Sequence, residues 1–182
     1  MTLGWAWLRS RRLPAVAVVC IAIAVAGASA ADASLQLPGL RRSLPLPVVL
    51  VVISGLVVTT PLYNRFGGLE ASMPRVRLDR ALASGVACSL AVLACLPASA
   101  AAGPRFPWSP LLALMTVGVL AVVVLGPLAW LPPTVLGFVT VYVDFNYAEP
   151  IRTALDGLGI PSLSAALVAS ALAFARVGPK KT

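Results

Sequence analysis

The chain reads as an all-α protein, a polytopic bundle of about six transmembrane helices with the N- and C-termini in the cytoplasm. Three observations predict this. Hydrophobic residues make up 59% of the 182 positions, charged residues only 11%, and histidine is absent. Soluble domains are roughly a quarter charged and about half apolar, and a chain of this size leaves too much surface wet to hide such a composition from water. The charged residues also divide the chain into long uncharged stretches, and the arginines and lysines gather in alternate connections between them.

The longest uncharged stretches lie between Arg12 and Asp32, Arg42 and Arg65, Arg80 and Arg105, Arg105 and Asp144, and Asp156 and Arg176, with 19, 22, 24, 38 and 19 residues. About 20 apolar residues cross a hydrocarbon core of about 30 Å, so four of these stretches suit one span each. The fourth would be roughly 57 Å long as a single helix at about 1.5 Å per residue. It contains Pro127, Pro132 and Pro133, which remove backbone donors and clash with the preceding turn. It therefore reads as a tight hairpin of two spans. The alternative is one span plus a re-entrant loop, which needs other helices or water to satisfy its backbone. The result is a single transmembrane domain over residues 1–182, with spans at about 13–31, 44–62, 81–102, 109–127, 133–146 and 158–176 and no soluble domain.

The first stretch has two readings. Arg9, Arg11 and Arg12, the apolar run Leu13 to Gly27 and the Ala28-Ser29-Ala30 pattern resemble a secretory signal. Its length between charges also suits a retained span, which is the reading adopted here. The third span carries small residues four apart, Ser84 with Cys88 and Gly85 with Ser89, and Pro97 is expected to kink or end it. The fourth opens on Ser109-Pro110, an N-cap followed by a first-turn proline. Its bulky run, Leu111, Leu112, Leu114, Val117, Val119, Leu120 and Val122–Leu125, is expected to face lipid. The sixth begins near Ile160-Pro161-Ser162. It carries the rows Ser162, Ala166, Ser170 and Ala165, Ala169, Ala173. Membrane helices associate through small residues that let backbones approach, so Ser84, Cys88, Ser162, Ala166 and Ser170 are the candidate packing face.

Orientation follows from charge. With the N-terminus inside, the cytoplasmic segments hold Arg9, Arg11, Arg12, Arg65, Arg75, Arg77, Arg80, Arg176, Lys180 and Lys181, against Arg41, Arg42, Arg105 and Arg152 outside. Short basic loops remain cytoplasmic. The four tryptophans and three tyrosines fall near predicted span ends, where amphipathic rings settle. This bias, together with contact to anionic head groups, accounts for the net charge of +8 without nucleic acid.

No residues are assigned to catalysis, to a cofactor or to a metal. Cys88 and Cys95 share a helix face but lie about 10 Å apart along the axis, too far for a disulfide. With no histidine and no cysteine cluster, a zinc, haem or iron–sulfur site has no ligands to draw on. None of Asp32, Glu70, Asp79, Asp144, Glu149 and Asp156 falls mid-span, which argues against a proton-coupled carrier. Asp144 and Asn146 beside Tyr142 and Tyr147 read as an interfacial cap, with an outer vestibule as the alternative. Asp156-Gly157 reads as a turn.

The connection from Pro61 to Arg80 carries four arginines together with Glu70 and Asp79, and is broken at Gly67-Gly68 and Met73-Pro74. It suits either a solvated connector or a partner-docking loop centred on Phe66, Gly67, Glu70, Arg75 and Arg77. Here Phe66-Gly67-Gly68-Leu69-Glu70, followed by Met73-Pro74-Arg75-Val76-Arg77-Leu78, resembles a segment of small permease-like membrane proteins of actinobacteria, often described as membrane subunits paired with ABC-transporter ATPases. The resemblance covers about 13 residues. It implies a permease-like subunit of an ATP-driven transporter, with a separate ABC-type ATPase docking at residues 63–80 and a second copy or homologue completing the assembly. The alternative is a non-transporting scaffold or accessory subunit that binds another membrane protein through its small-residue faces. Either reading places the chain in the cell membrane as a multi-pass homo- or hetero-oligomer.

Overall fold

The computed structural model describes residues 8, 11–30, 33–62, 76–147 and 149–179. Among the described residues the chain is all-α apart from one short hairpin. In order the elements are α1 (Leu13–Ser29), β1 (Ser34–Leu35), β2 (Leu44–Pro45), α2 (Leu46–Val57), α3 (Thr59–Leu62), α4 (Val76–Ala102), a 3-10 turn at Gly103–Arg105, α5 (Trp108–Leu125), a second 3-10 turn at Gly126–Leu128, α6 (Leu131–Asn146), α7 (Pro150–Leu158) and α8 (Ile160–Val177). The two strands pair antiparallel, Ser34 with Pro45 and Leu35 with Leu44. Three helices, with their 3-10 extensions, are long and apolar enough to cross a membrane: Val76–Arg105, Trp108–Leu128 and Ile160–Val177. Leu13–Ser29 and Leu46–Leu62 are shorter apolar helices.

Four helices close a ring in the order α4, α8, α5, α2; α1 packs outside against α4 and α2, and α6 outside against α5 and α2. The centre is filled by Val51 and Val58 from the α2 segment, Ala87, Ala91 and Cys95 from α4, Leu114, Met115 and Val119 from α5, and Phe174 from α8. Glycines set the closest crossings. A Cβ at Gly55 would lie 2.6 Å from Leu114 Cβ, one at Gly27 would lie 2.8 Å from Ala98 Cβ, and one at Gly137 would lie 2.8 Å from Val52 Cγ1. Such contacts are how helices gain dispersion energy where no hydrophobic force separates them from lipid.

Several expectations are corrected. The α5 run faces outward only in part: Leu120, Val124 and Leu125 are exposed, whereas Leu111, Leu114, Val119 and Val122 are at most 2% exposed. Bulk did not mark an outward face, because these side chains fill space that glycine and alanine leave open on the neighbouring helices. Pro97 does not end α4, which continues to Ala102. The missing donor and ring clash cost about 3 kcal/mol, and Ala94, Cys95 and Ala98, buried on either side of the proline, hold the helix against its neighbours. Ser109 does not cap α5; the position before the helix is Pro107. Asp156-Gly157 is no turn but the last part of α7. The 38-residue stretch is divided into α5 and α6 by the turn at Gly126–Leu128, where Gly126 takes a positive φ of 56°.

Candidate functional site

Two polar clusters sit at opposite ends of the ring. At one end α4 begins earlier than its apolar run, at Val76, because the charged residues of its first turns find partners. Arg11, fully buried, pairs with Asp79 and donates from Nη1 to the carbonyl of Pro61 at 3.3 Å. This ties together the entry to α1, the end of α3 and the start of α4. Arg80 is also buried, and its guanidinium lies in the space that a Cβ on Gly178 would fill. Gly178 closes α8 with a φ of 78° and donates its N–H to the carbonyl of Phe174 at 2.8 Å. A cation at that position opposes the partial negative charge of a helix C-terminus. The described basic residues Arg11, Arg12, Arg77, Arg80 and Arg176 therefore belong to one end, where Asp79 pairs with Arg11.

At the other end α6 and α7 meet at a corner. Asp144 is buried, and its two carboxylate oxygens accept from the backbone N–H groups of Ile151 at 2.7 Å and Arg152 at 3.1 Å. It thus caps α7, the helix that follows, rather than its own. The connecting Glu149 holds a left-handed φ of 61°. Arg152 is the hub: it pairs with Glu149 at 3.2 Å and with Asp156 at 3.8 Å, and donates to the carbonyl of Arg105 at 2.9 Å. The Ser109 hydroxyl donates to Asp156, joining the start of α5 to α7. Asn146 accepts from the backbone N–H of Arg41 at 3.2 Å and donates to the carbonyl of Tyr142 at 2.9 Å, securing the loop of the β1–β2 hairpin. The space behind Asp144, lined by Val51, Leu114 and Thr140 among others, is about 30 Å³, enough for a water molecule or two. These contacts latch α6, α7, the start of α5 and the hairpin together.

Of the candidate docking residues, Phe66, Gly67, Glu70 and Arg75 lie outside the described residues; Arg77 is exposed on the first turn of α4. Of the candidate packing residues, Ser84 and Ser170 are buried and Cys88 is half-buried, whereas Ser162 and Ala166 are exposed. The buried stripe of α8 runs through Leu163, Ser170, Phe174 and Ala175. The Ser170 hydroxyl bonds the Leu167 carbonyl at 2.7 Å, and the Ser84 hydroxyl bonds the Ala81 carbonyl at 3.0 Å. Both are satisfied within their own helices and cost nothing to bury.

Sequence reasoning missed Arg152, Glu149 and Ser109 as a group. The one local signal was Glu149-Pro150, a helix start with proline in the first turn. It also missed the Arg11–Asp79 pair, whose partners are 68 positions apart. Among the described residues no group of three or more acidic, cysteine or histidine residues is placed to hold a metal ion. Comparison with protein-family models, with curated proteins and with solved structures returns no match.

Proposed function

We propose that this chain is a six-span integral membrane protein of the cell membrane, with its Arg11–Arg80 end in the cytoplasm. In this reading it serves as a permease-like membrane subunit of an ATP-driven transporter whose ATPase is a separate chain. The observation that carries the membrane reading is the outer surface of the ring. Val18 on α1, Leu93 on α4, Val124 on α5, Phe138 on α6 and Val168 on α8 are between 57% and 70% exposed. A soluble monomer rarely exposes apolar area on this scale, and lipid makes it costless. The orientation is supported by Arg11, Arg12, Arg77, Arg80 and Arg176 at one end, to which the sequence adds Arg9, Arg65, Arg75, Lys180 and Lys181, against Arg41, Arg42, Arg105 and Arg152 at the other.

Two features favour a subunit over a self-sufficient channel. Among the described residues the centre of the ring is filled, so a pathway requires a second copy or a partner. Arg77 also projects from a helix start anchored by the Arg11–Asp79 pair and by Arg80 against Gly178. That anchoring supports a fixed docking platform beside residues 63–75. The resemblance at residues 66–78 selects an ABC-type ATPase as the partner. The filled ring equally favours a second reading, a non-transporting scaffold.

Affinity purification of the tagged chain in mild detergent, with mass spectrometry of what accompanies it, separates the two. An ATPase recovered in near-equal amount, and lost when residues 66–77 are replaced, is the expected result. Recovery of only the chain itself or another membrane protein overturns the transporter reading in favour of the scaffold.

A further inference from the structure

Between α4 and α8 an open groove of about 320 Å³ runs along the outside of the ring. Ala81, Ser84, Gly85 and Cys88 form its α4 wall, and Val168 and Leu172 stand on its α8 wall. The α4 wall is nearly flat: a Cβ added at Gly85 would meet nothing within 4 Å. Both walls end on charge. With about 3.6 residues per turn, Arg77 is one turn below Ala81 and two below Ser84 on the same face. Arg176 is one turn beyond Leu172 and two beyond Val168. Both arginines are exposed, and Asp79, the acidic residue of this helix start, is on the opposite side of α4, engaged with Arg11.

We propose that this groove binds one anionic phospholipid of the inner leaflet, its acyl chain against the small-residue wall of α4 and its phosphate between Arg77 and Arg176. Charge complementarity selects this occupant. Guanidinium groups present planar, paired donors that match phosphate oxygens, and basic pockets between helices on the cytoplasmic side hold anionic head groups. A zwitterionic lipid offers a choline or ethanolamine cation to the same arginines and is disfavoured. The site rests on the membrane reading and its orientation but not on the ATPase.

The test uses the full chain in nanodiscs containing a trace of phosphatidylglycerol or phosphatidylcholine with a photoactivatable acyl chain, followed by peptide mapping. Phosphatidylglycerol should label the segments 81–89 and 167–175 roughly thirtyfold more than phosphatidylcholine does, the preference expected of two basic residues at about 1 kcal/mol each near an anionic head group. The preference should vanish in Arg77→Ala/Arg176→Ala and largely return in Arg77→Lys/Arg176→Lys, which keeps the charges. Because both arginines are exposed, the alanine variant should elute as the parent does. If it does not fold, the parent's ratio of the two lipids still decides. Equal labelling by the two lipids along the whole chain overturns the site while leaving the membrane reading intact. So does protection of the groove by a second copy of the chain, seen as a cross-linked dimer. A chain released from cell membranes by alkaline carbonate, and labelled by neither lipid, would instead overturn the membrane reading on which the site rests.

Discussion

At the scale of single residues, close backbone approach and buried charge decide more than hydrophobicity does. Gly55 and Gly85 are both helical glycines, yet only the first is pressed against a neighbour, Leu114. Gly55→Ala should therefore destabilise the bundle by about 1–3 kcal/mol, the range for overpacking, while Gly85→Ala should be neutral or slightly stabilising by helix propensity. Thermal melting of the two variants in one detergent, read by size-exclusion chromatography, compares them directly; equal losses would sink the packing argument. Arg11 is fully buried beside Asp79. Asp79 keeps some contact with its surroundings, so losing this hydrogen bond between charged groups should cost about 1.5–3 kcal/mol, and Arg11→Ala should lower the Tm in the same assay.

At the scale of elements, α7 depends on a cap from another helix. Asp144 supplies both carboxylate oxygens to its first N–H groups, so Asp144→Ala should cost about 0.5–2 kcal/mol and Asp144→Asn less, because asparagine keeps one acceptor. Hydrogen exchange of the amides of residues 151–158 should rise in the alanine variant; unchanged protection would show that α7 is held by packing alone. Likewise α1 is bound to α4 through Leu13, Val16, Cys20, Ile23 and Gly27. Deletion of residues 1–30 should expose the α4 stripe and give aggregated protein, whereas a monodisperse product would make α1 dispensable to the bundle.

For the whole molecule, the separation of the two charged clusters predicts sidedness. In a background with Cys20, Cys88 and Cys95 replaced, Ser43→Cys and Thr153→Cys should react with a membrane-impermeant maleimide on intact cells, and Arg77→Cys only after permeabilisation. The reverse pattern would invert the bundle and remove the basis for a cytoplasmic partner. The ring carries apolar side chains on its outer surface as well as in its centre, with small residues at the crossings, which suits an environment where packing and not the exclusion of water holds helices together.

The sequence by itself determined the class of the protein. A composition this apolar, cut by charge into stretches of helix length, permits little but helices, since each stretch must satisfy its own backbone hydrogen bonds where water is scarce. Helix starts marked by proline, as at Pro110 and Pro161, were legible for the same local reason. What tertiary structure alone decided was which face of each helix turns inward. Ser162 and Ala166 read as a packing row but are exposed, and the bulky α5 is central, because burial depends on the shape of the opposing helix and not on the helix's own pattern. The two polar clusters were equally hidden from local reading. Arg11 with Asp79, and Ser109 with Asp156, join residues far apart in the chain, and a charge alone does not reveal whether it meets solvent or a partner.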